Sequence, residues 1–164
     1  MAAKSSREAP SPSSKMASLD RPLHAVGFEY DLLSAEKVTG HITVTEACCQ
    51  PFKVLHGGVT AMLAEGAGSM GAYIASDFKR VAGLQLSTNH IRAAGLGELV
   101  LVEASPIQKG RTIQVWEVEL WKINPSTSAK VQLLSTSRVT LLCSLPSSKE
   151  MKGFEDNLKK YCKL

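Results

Sequence analysis

The chain has 164 residues, 44% of them apolar and 21% charged. This is the size and balance of one domain with a sizeable core, and no apolar run reaches the roughly 18 residues of a membrane span. Nineteen Lys and Arg against fifteen Asp and Glu give a net charge of +4, but the excess lies in two tails. Residues 1–22 carry Lys4, Arg7, Lys15 and Arg21 against Glu8 and Asp20, and residues 147–164 carry five lysines against Glu150, Glu155 and Asp156. The body from Leu23 to Pro146 balances, which excludes a basic nucleic-acid-binding face.

The first twenty residues are rich in Ser, Ala, Pro and Lys and hold almost nothing to bury, so they read as a disordered leader. A Ser-rich leader is also compatible with a transit peptide or with an alternative start at Met16. Order is expected to begin near Leu19–His24 as a short helix capped by Ser18. Phe28–Leu33 and Lys37–Thr45 read as two strands joined by a turn at Ser34–Glu36. An irregular segment containing Pro51 leads to one long helix over Gly57–Phe78. Four strand-like runs follow, at Val81–Ala93, Glu98–Gln108, Thr112–Lys122 and Lys130–Cys143. Gly95–Gly97, Lys109–Gly110 and Asn124–Ser126 supply the turns between them. In Thr112–Trp121 both alternating faces hold apolar side chains, so this strand is expected to be covered on both sides for part of its length. Residues 149–163 read as a short amphipathic helix. One helix against so much antiparallel sheet must be wrapped by that sheet, which makes the fold α+β.

The four cysteines, Cys48, Cys49, Cys143 and Cys162, include an adjacent pair and no CxxC, so they read as thiols in a reducing compartment. The histidines at 24, 41, 56 and 90 lack metal-ligand spacing. Gly66-Ala-Gly68-Ser-Met-Gly71 matches GxGxxG but lies in mid-helix rather than between strand and helix. Ala67-Gly-Ser69-Met-Gly71 approaches a nucleophile elbow and fails for the same reason.

More informative is the long helix itself. Helical spacing puts Val59, Leu63, Met70 and Ile74 on one side and Glu65 roughly opposite, among the small residues Gly58, Ala61, Gly68, Ser69 and Ala72. Glycines at 57, 58, 66, 68 and 71 each cost about 1 kcal/mol relative to Ala inside a helix, so a backbone or a ligand is expected to approach closely. Glu65 is then an ionisable group on a helix that reads as buried nearly all round. Gly57 and Gly58 at the helix start present backbone N–H groups beside the positive end of the helix dipole, a site for a polarised carbonyl or a developing oxyanion. With Gln50 and His56 at the mouth and Glu65 two turns further in, the parts suit acyl transfer. Phe52, Met62 and Tyr73 are candidates to line an aryl pocket.

The segment Gln50-Pro-Phe-Lys-Val-Leu-His56-Gly57-Gly58, followed by Glu65 and Ser69, resembles the hotdog-fold acyl-CoA thioesterases, in particular the 4-hydroxybenzoyl-CoA thioesterase-like branch with a helical glutamate. QPFKVLHGGV, FKRVAGLQLSTNH and TIQVWEVELWK look like the plant 1,4-dihydroxy-2-naphthoyl-CoA thioesterases of phylloquinone synthesis. The resemblance covers about residues 20–145. It implies a hotdog domain over 21–146 between a leader (1–20) and a basic tail (147–164), with an antiparallel sheet wrapped around one central helix.

For the site, the resemblance implies Glu65 as nucleophile or general base and the Gly57 amide as carbonyl polariser. Gln50 and His56 would place the carbonyl or the water, and Ser69 would orient water or the acyl ring. Gly58, His90, Arg92, Lys109, Gly110, Arg111, Ser137 and Arg138 are candidates to bind the acyl-CoA, itself the substrate; no metal or other cofactor is implied. The site is expected between two protomers, Glu65 of one facing Gly57 of the other, in a homotetramer of back-to-back dimers. The ending Cys162-Lys163-Leu164 resembles the SKL-type address read by the peroxisomal import receptor, with plastid and cytoplasm as alternative locations. Neither a nucleic acid nor a membrane is expected as a partner. Other readings are a thioesterase for further aryl- or fatty acyl-CoAs and a non-catalytic acyl-CoA binding module.

Overall fold

A computed structural model describes residues 19–146 and 151–162. Its elements are helix α1 (Arg21–Ala25), strands β1 (Phe28–Leu33) and β2 (Val38–Thr43), a 3-10 turn (Glu46–Cys48), helix α2 (Gly57–Ala75), strands β3 (Arg80–His90), β4 (Leu99–Lys109), β5 (Ile113–Ile123) and β6 (Lys130–Leu145), and helix α3 (Met151–Lys159). The strands form one six-stranded sheet in the order β1-β2-β4-β5-β6-β3. Every neighbouring pair is antiparallel.

Alternation makes the sheet two-faced. On β5, Gln114, Trp116, Val118 and Leu120 are buried, and the register sets them beside Leu141, Val139, Ser137 and Ser135 of β6. Val100, Val102 and Ala104 of β4 and Val38 and Ile42 of β2 continue that row, which closes over α2. The other face of β5, carrying Ile113, Val115, Glu117 and Glu119, is half-buried. The double cover expected for this strand is therefore complete on the helix side and partial on the outer side.

Contact with the sheet requires the helix to be slim. A Cβ added at Gly71 would lie 2.4 Å from the Trp116 ring, and one at Gly68 would lie 3.2 Å from Val139 Cγ2. The close approach expected from the glycines is thus made at these two positions by the sheet. Leu23 of α1 covers Gly66 in the same way, 2.7 Å from the Cβ position. Of the expected apolar stripe Leu63, Met70 and Ile74 are buried, joined by Thr60, Ala64, Ala67 and Gly71, while Val59 is half-buried and Glu65 is exposed. Gly68 and Ala72 belong to the core, not to an open face around Glu65.

Several boundaries also differ: β2 ends at Thr43 rather than Thr45, β3 at His90 rather than Ala93, and β6 at Leu145 rather than Cys143. Asp20, not Ser18, caps α1: its Oδ1 accepts the Leu23 N–H at 3.0 Å, and Ser18 lies outside the described residues. Helix α2 stops at Ala75 rather than Phe78 because Asp77 and Phe78 turn left-handed, both at φ 56. The Phe78 N–H then bonds the Tyr73 carbonyl at 3.0 Å, and the Phe78 ring folds back into the core. Among the described residues the four cysteines are free thiols, Cys48 and Cys143 buried. The leader expected over 1–20 lies largely outside the described residues.

Candidate active site

The site begins where α2 begins. His56 is its N-cap, in extended conformation at φ −67 and ψ 131, and its Nδ1 accepts the Gly58 N–H at 2.9 Å. That bond places the proton of a neutral ring on Nε2. It also commits the Gly58 amide, while the Thr60 N–H bonds the His56 carbonyl at 3.0 Å. Among the described residues no group accepts the Gly57 N–H. One free amide at the positive end of a 19-residue helix is what a carbonyl oxygen would meet.

That amide borders a cavity of about 310 Å³ whose lining includes Gln50, Gly57, Thr60, His90, Arg92 and Ser135. Gln50 sits in a tight turn in which its N–H bonds the Val54 carbonyl and its own carbonyl accepts the Lys53 N–H, each at 2.9 Å. Gln50 Oε1 accepts the Phe52 N–H at 2.8 Å, which leaves the amide –NH2 as the donor available to the cavity. The His90 ring stands against the helix start, 3.4 Å from the Cβ position of Gly57. Behind the cavity the Gly95–Gly97 turn is pinned by Glu98, whose Oε2 accepts the Gly95 N–H at 2.9 Å. The hydrogen bond from Lys122, above all, holds the Glu98 carboxyl below its ordinary range, and the bond from Gly95 adds to it.

Glu65 is elsewhere. Eight residues separate it from Gly57, about 12 Å along the helix axis at 1.5 Å per residue. Its side chain is exposed and reaches to β3, with Oε1 2.8 Å from the Cβ position of Gly83. Only a glycine leaves room there. The carboxylate lines a groove of about 220 Å³ together with Gly83, Leu84, Gln85, Leu86 and Val139. Ser69, one turn on, faces a third cavity beside Gly66, Met70, Tyr73 and Arg80. One protomer therefore keeps the carbonyl-polarising amide and the carboxylate in separate clefts.

Of the candidate CoA-binding residues, His90 and Arg92 share the Gly57 cavity. Lys109, Gly110 and Arg111 form the β4–β5 hairpin at the far end of α2, where Gln114 Nε2 donates to Ser76 Oγ at 2.9 Å and Lys109 pairs with Glu36. Ser137 faces the helix and bonds Thr88 at 2.9 Å, while Arg138 lies on the outer face beside Glu117. Phe52 is 86% exposed on its turn and Met62 packs on the core, so of the three expected aryl contacts only Tyr73 lines a described cavity. The sequence reading missed Thr60 and Ser135 at the Gly57 cavity, and it missed Gly83. A glycine inside a strand run is the signal that finds Gly83. Among the described residues no three His, Cys, Asp or Glu side chains cluster as a metal site, and no helix is long and apolar enough to cross a membrane.

A sheet wrapped on one helix, with a free amide at its start and a glutamate on its flank, is the frame of a hotdog-fold thioesterase. The Thioesterase superfamily domain is matched over residues 52–129. The chain is 54% identical to 1,4-dihydroxy-2-naphthoyl-CoA thioesterase 2 of Arabidopsis thaliana over 143 residues, 87% of this chain and 91% of that one. It is 35% identical to the 1,4-dihydroxy-2-naphthoyl-CoA hydrolase of Listeria monocytogenes over 71% of this chain and 89% of that one. Among solved structures, a thioesterase from Haemophilus influenzae superposes with TM-score 0.68 at 28% identity, covering 85% of this chain and 95% of that one. The chain belongs to the thioesterase superfamily and is an acyl-CoA thioester hydrolase of the hotdog fold.

Proposed function

We propose that this protein hydrolyses 1,4-dihydroxy-2-naphthoyl-CoA to 1,4-dihydroxy-2-naphthoate and CoA, a step of phylloquinone (vitamin K1) biosynthesis. The 54% identity to the Arabidopsis enzyme, along almost the full length of both chains, carries this reading. The thioester carbonyl oxygen accepts the Gly57 N–H at the helix start, with Gln50 as a second donor, and negative charge develops there as the carbon is attacked. Glu65 either takes a proton from the attacking water, so that the C–S bond breaks to give the acid and CoA thiolate directly, or attacks the carbon itself, so that CoA leaves as thiolate and water then cleaves the resulting anhydride to the acid and free Glu65. Ser69 positions the water or the ring, and His56 acts through its cap on Gly58. Water is the only co-reactant of this hydrolysis, and we propose no metal and no resident cofactor.

Both groups must stand within about 3 Å of one reacting carbonyl, and the roughly 12 Å between them along α2 forbids this within one protomer. The complementary Glu65 comes from a second copy. Strand β3 is an edge strand of eleven residues with Leu84 56% exposed beside the Glu65 groove, a surface suited to pairing with its own copy. Antiparallel pairing of two β3 edges brings the partner's Glu65 toward Gly57. It also sets the partner's Lys109–Arg111 hairpin at the end of the sheet where His90 and Arg92 stand ready for CoA phosphates. Two such dimers back to back make the tetramer. The hotdog domain spans 21–146, with a leader before it and a basic tail after it.

We place the protein in the peroxisome through the Cys162-Lys163-Leu164 ending. Cys162 forms a backbone bridge with Leu33, so the import receptor binds a tail detached from β1. A fluorescent protein fused ahead of the chain should mark peroxisomes and turn diffuse when Leu164 is deleted; plastid labelling would overturn the assignment. For the activity, release of CoA thiol should be fastest from 1,4-dihydroxy-2-naphthoyl-CoA when benzoyl-CoA and palmitoyl-CoA are run beside it. A preference for palmitoyl-CoA overturns the substrate and keeps the fold.

A further inference from the structure

Gln50 stands on a small three-stranded strip outside the main sheet. Cys49 and Leu55 form an antiparallel bridge, and the Gln50 N–H bonds the Val54 carbonyl at 2.9 Å. On its other side the 53–55 segment meets the turn that follows β3. There the Leu55 N–H bonds the Ala94 carbonyl at 2.8 Å, and the Leu96 N–H bonds the Lys53 carbonyl at 3.0 Å. These two bonds flank the antiparallel Val54–Gly95 bridge, so the Gly95 N–H points away from Val54, out of the strip's edge. Glu98 Oε2 accepts that N–H at 2.9 Å, and Lys122 of β5 holds the other carboxylate oxygen. The strip is also a wall of the Gly57 cavity, to which it contributes Gln50, Leu55 and Ala94. A lysine of the main sheet and a carboxylate at the start of β4 thus fasten the wall that carries Gln50.

We propose that Glu98, held by Lys122, is a positioning residue: by fixing the Gly95 turn it keeps the Gln50 amide at the carbonyl site beside Gly57. The inference rests on the function proposed above, in which Gln50 is the second donor, and extends it to the group that places Gln50. Glu98 does not line the cavity, so its effect travels through the backbone bonds of the strip. The Lys122 bond, above all, keeps the Glu98 carboxyl charged, and a charged acceptor makes the shorter and stronger bond to an N–H. Stability alone gives little reason for the pair. The Glu98 and Lys122 side chains are 29% and 35% exposed, and an ion pair this open to water adds little to the fold. Geometry gives a better one, because moving a group that meets the reacting carbonyl by about 1 Å can cost on the order of 10² in rate.

The test is a double-mutant cycle between Glu98→Ala and Gln50→Ala, followed in kcat and KM on whichever thioester the wild type cleaves fastest. Glu98→Ala alone should lower kcat about tenfold and leave KM within about threefold, since the groups that meet CoA stay in place. With Gln50 already removed, the same change should cost less than about twofold, because the group it positions is gone. Lys122→Met keeps the carboxylate but loosens it, so it should lose less than Glu98→Ala and fall silent beside Gln50→Ala; it carries the cycle if Glu98→Ala fails to fold. Amide exchange at Leu55 and Leu96, whose N–H groups tie the strip, should quicken in Glu98→Ala while amides of β5 keep their rates. Equal loss in both backgrounds, no loss in either, or unchanged exchange at the strip overturns the proposal. If Gln50→Ala alone keeps full activity, the donor reading falls and the proposal with it; if it loses activity and the cycle is additive, only the role of Glu98 falls. A wild type that prefers palmitoyl-CoA overturns the naphthoyl substrate, and the cycle run on that thioester still decides Glu98.

Discussion

Glu65→Ala is expected to lower kcat for the naphthoyl thioester by about 10² or more, the contribution of a positioned acid–base group or nucleophile. The loss should appear without loss of fold. Among the described residues Glu65 makes no hydrogen bond or ion pair, its side chain is exposed, and it touches β3 only where Gly83 leaves space. Alanine is also the better helix former by a few tenths of a kcal/mol, so thermal melting should be unchanged or slightly raised. KM should move little, because a group that acts on the attacking atom contributes mainly in the transition state. Glu65→Gln keeps the shape and removes the charge, and should lose as much as Glu65→Ala. Full activity in both variants would make Glu65 an ordinary surface carboxylate and would end the carboxylate mechanism. In a single turnover run in ¹⁸O water, direct attack by water puts one ¹⁸O into every released carboxylate, whereas released acid without ¹⁸O, with the label left on Glu65, would mark an anhydride opened at the Glu65 carbonyl.

The order of elements was legible because the strands alternate with period two and the helix is the one long stretch without that alternation. Phe28–Leu33 and the start of α2 at Gly57 coincide with the structure to the residue. What periodicity could not supply is which side of a glycine-rich helix meets the sheet. Gly68 and Gly71 look alike in sequence to Gly57 and Gly58, yet the first pair admits Val139 and Trp116 while the second frames the helix start. That difference is decided by a tryptophan 45 positions away from Gly71. The same limit applies to the site. Gln50, Gly57, His90 and Arg92 gather at one cavity, three of them from loops or strand ends whose placement depends on the turn closed by Glu98 and Lys122. Only charge groups the Lys109–Arg111 hairpin with them, and the sheet sends it to the other end of α2. Charge patterning locates basic residues but carries no information on the sheet end at which they emerge.

Gly57→Pro is expected to cost about 10²–10³ in kcat, the loss associated with one oxyanion donor, and it isolates the amide proton. Proline is favoured at the first position of a helix, where its missing N–H has no helical acceptor to lose. The residue before it must be extended, and His56 already is, at ψ 131. A side chain at 57 meets the His90 ring at 3.4 Å, an ordinary contact, so the fold should persist. Gly57→Ala, which keeps the N–H and adds the same contact, should stay near wild type; equal loss in both variants would assign the effect to crowding of His90. The pair Gly57→Pro and Glu65→Ala then tests where the site is assembled. Each variant alone is expected to be nearly inactive. Co-expressed in equal amounts, half the dimers are mixed, and each mixed dimer holds one site with both groups intact, so activity should return to about a quarter of wild type. A site contained in one protomer cannot be restored this way, because no protomer in the mixture carries both groups. Recovery therefore requires that a carboxylate and an amide about 12 Å apart on one helix reach the same carbonyl from two copies of it, and a mixture that stays inactive would return the site to a single chain.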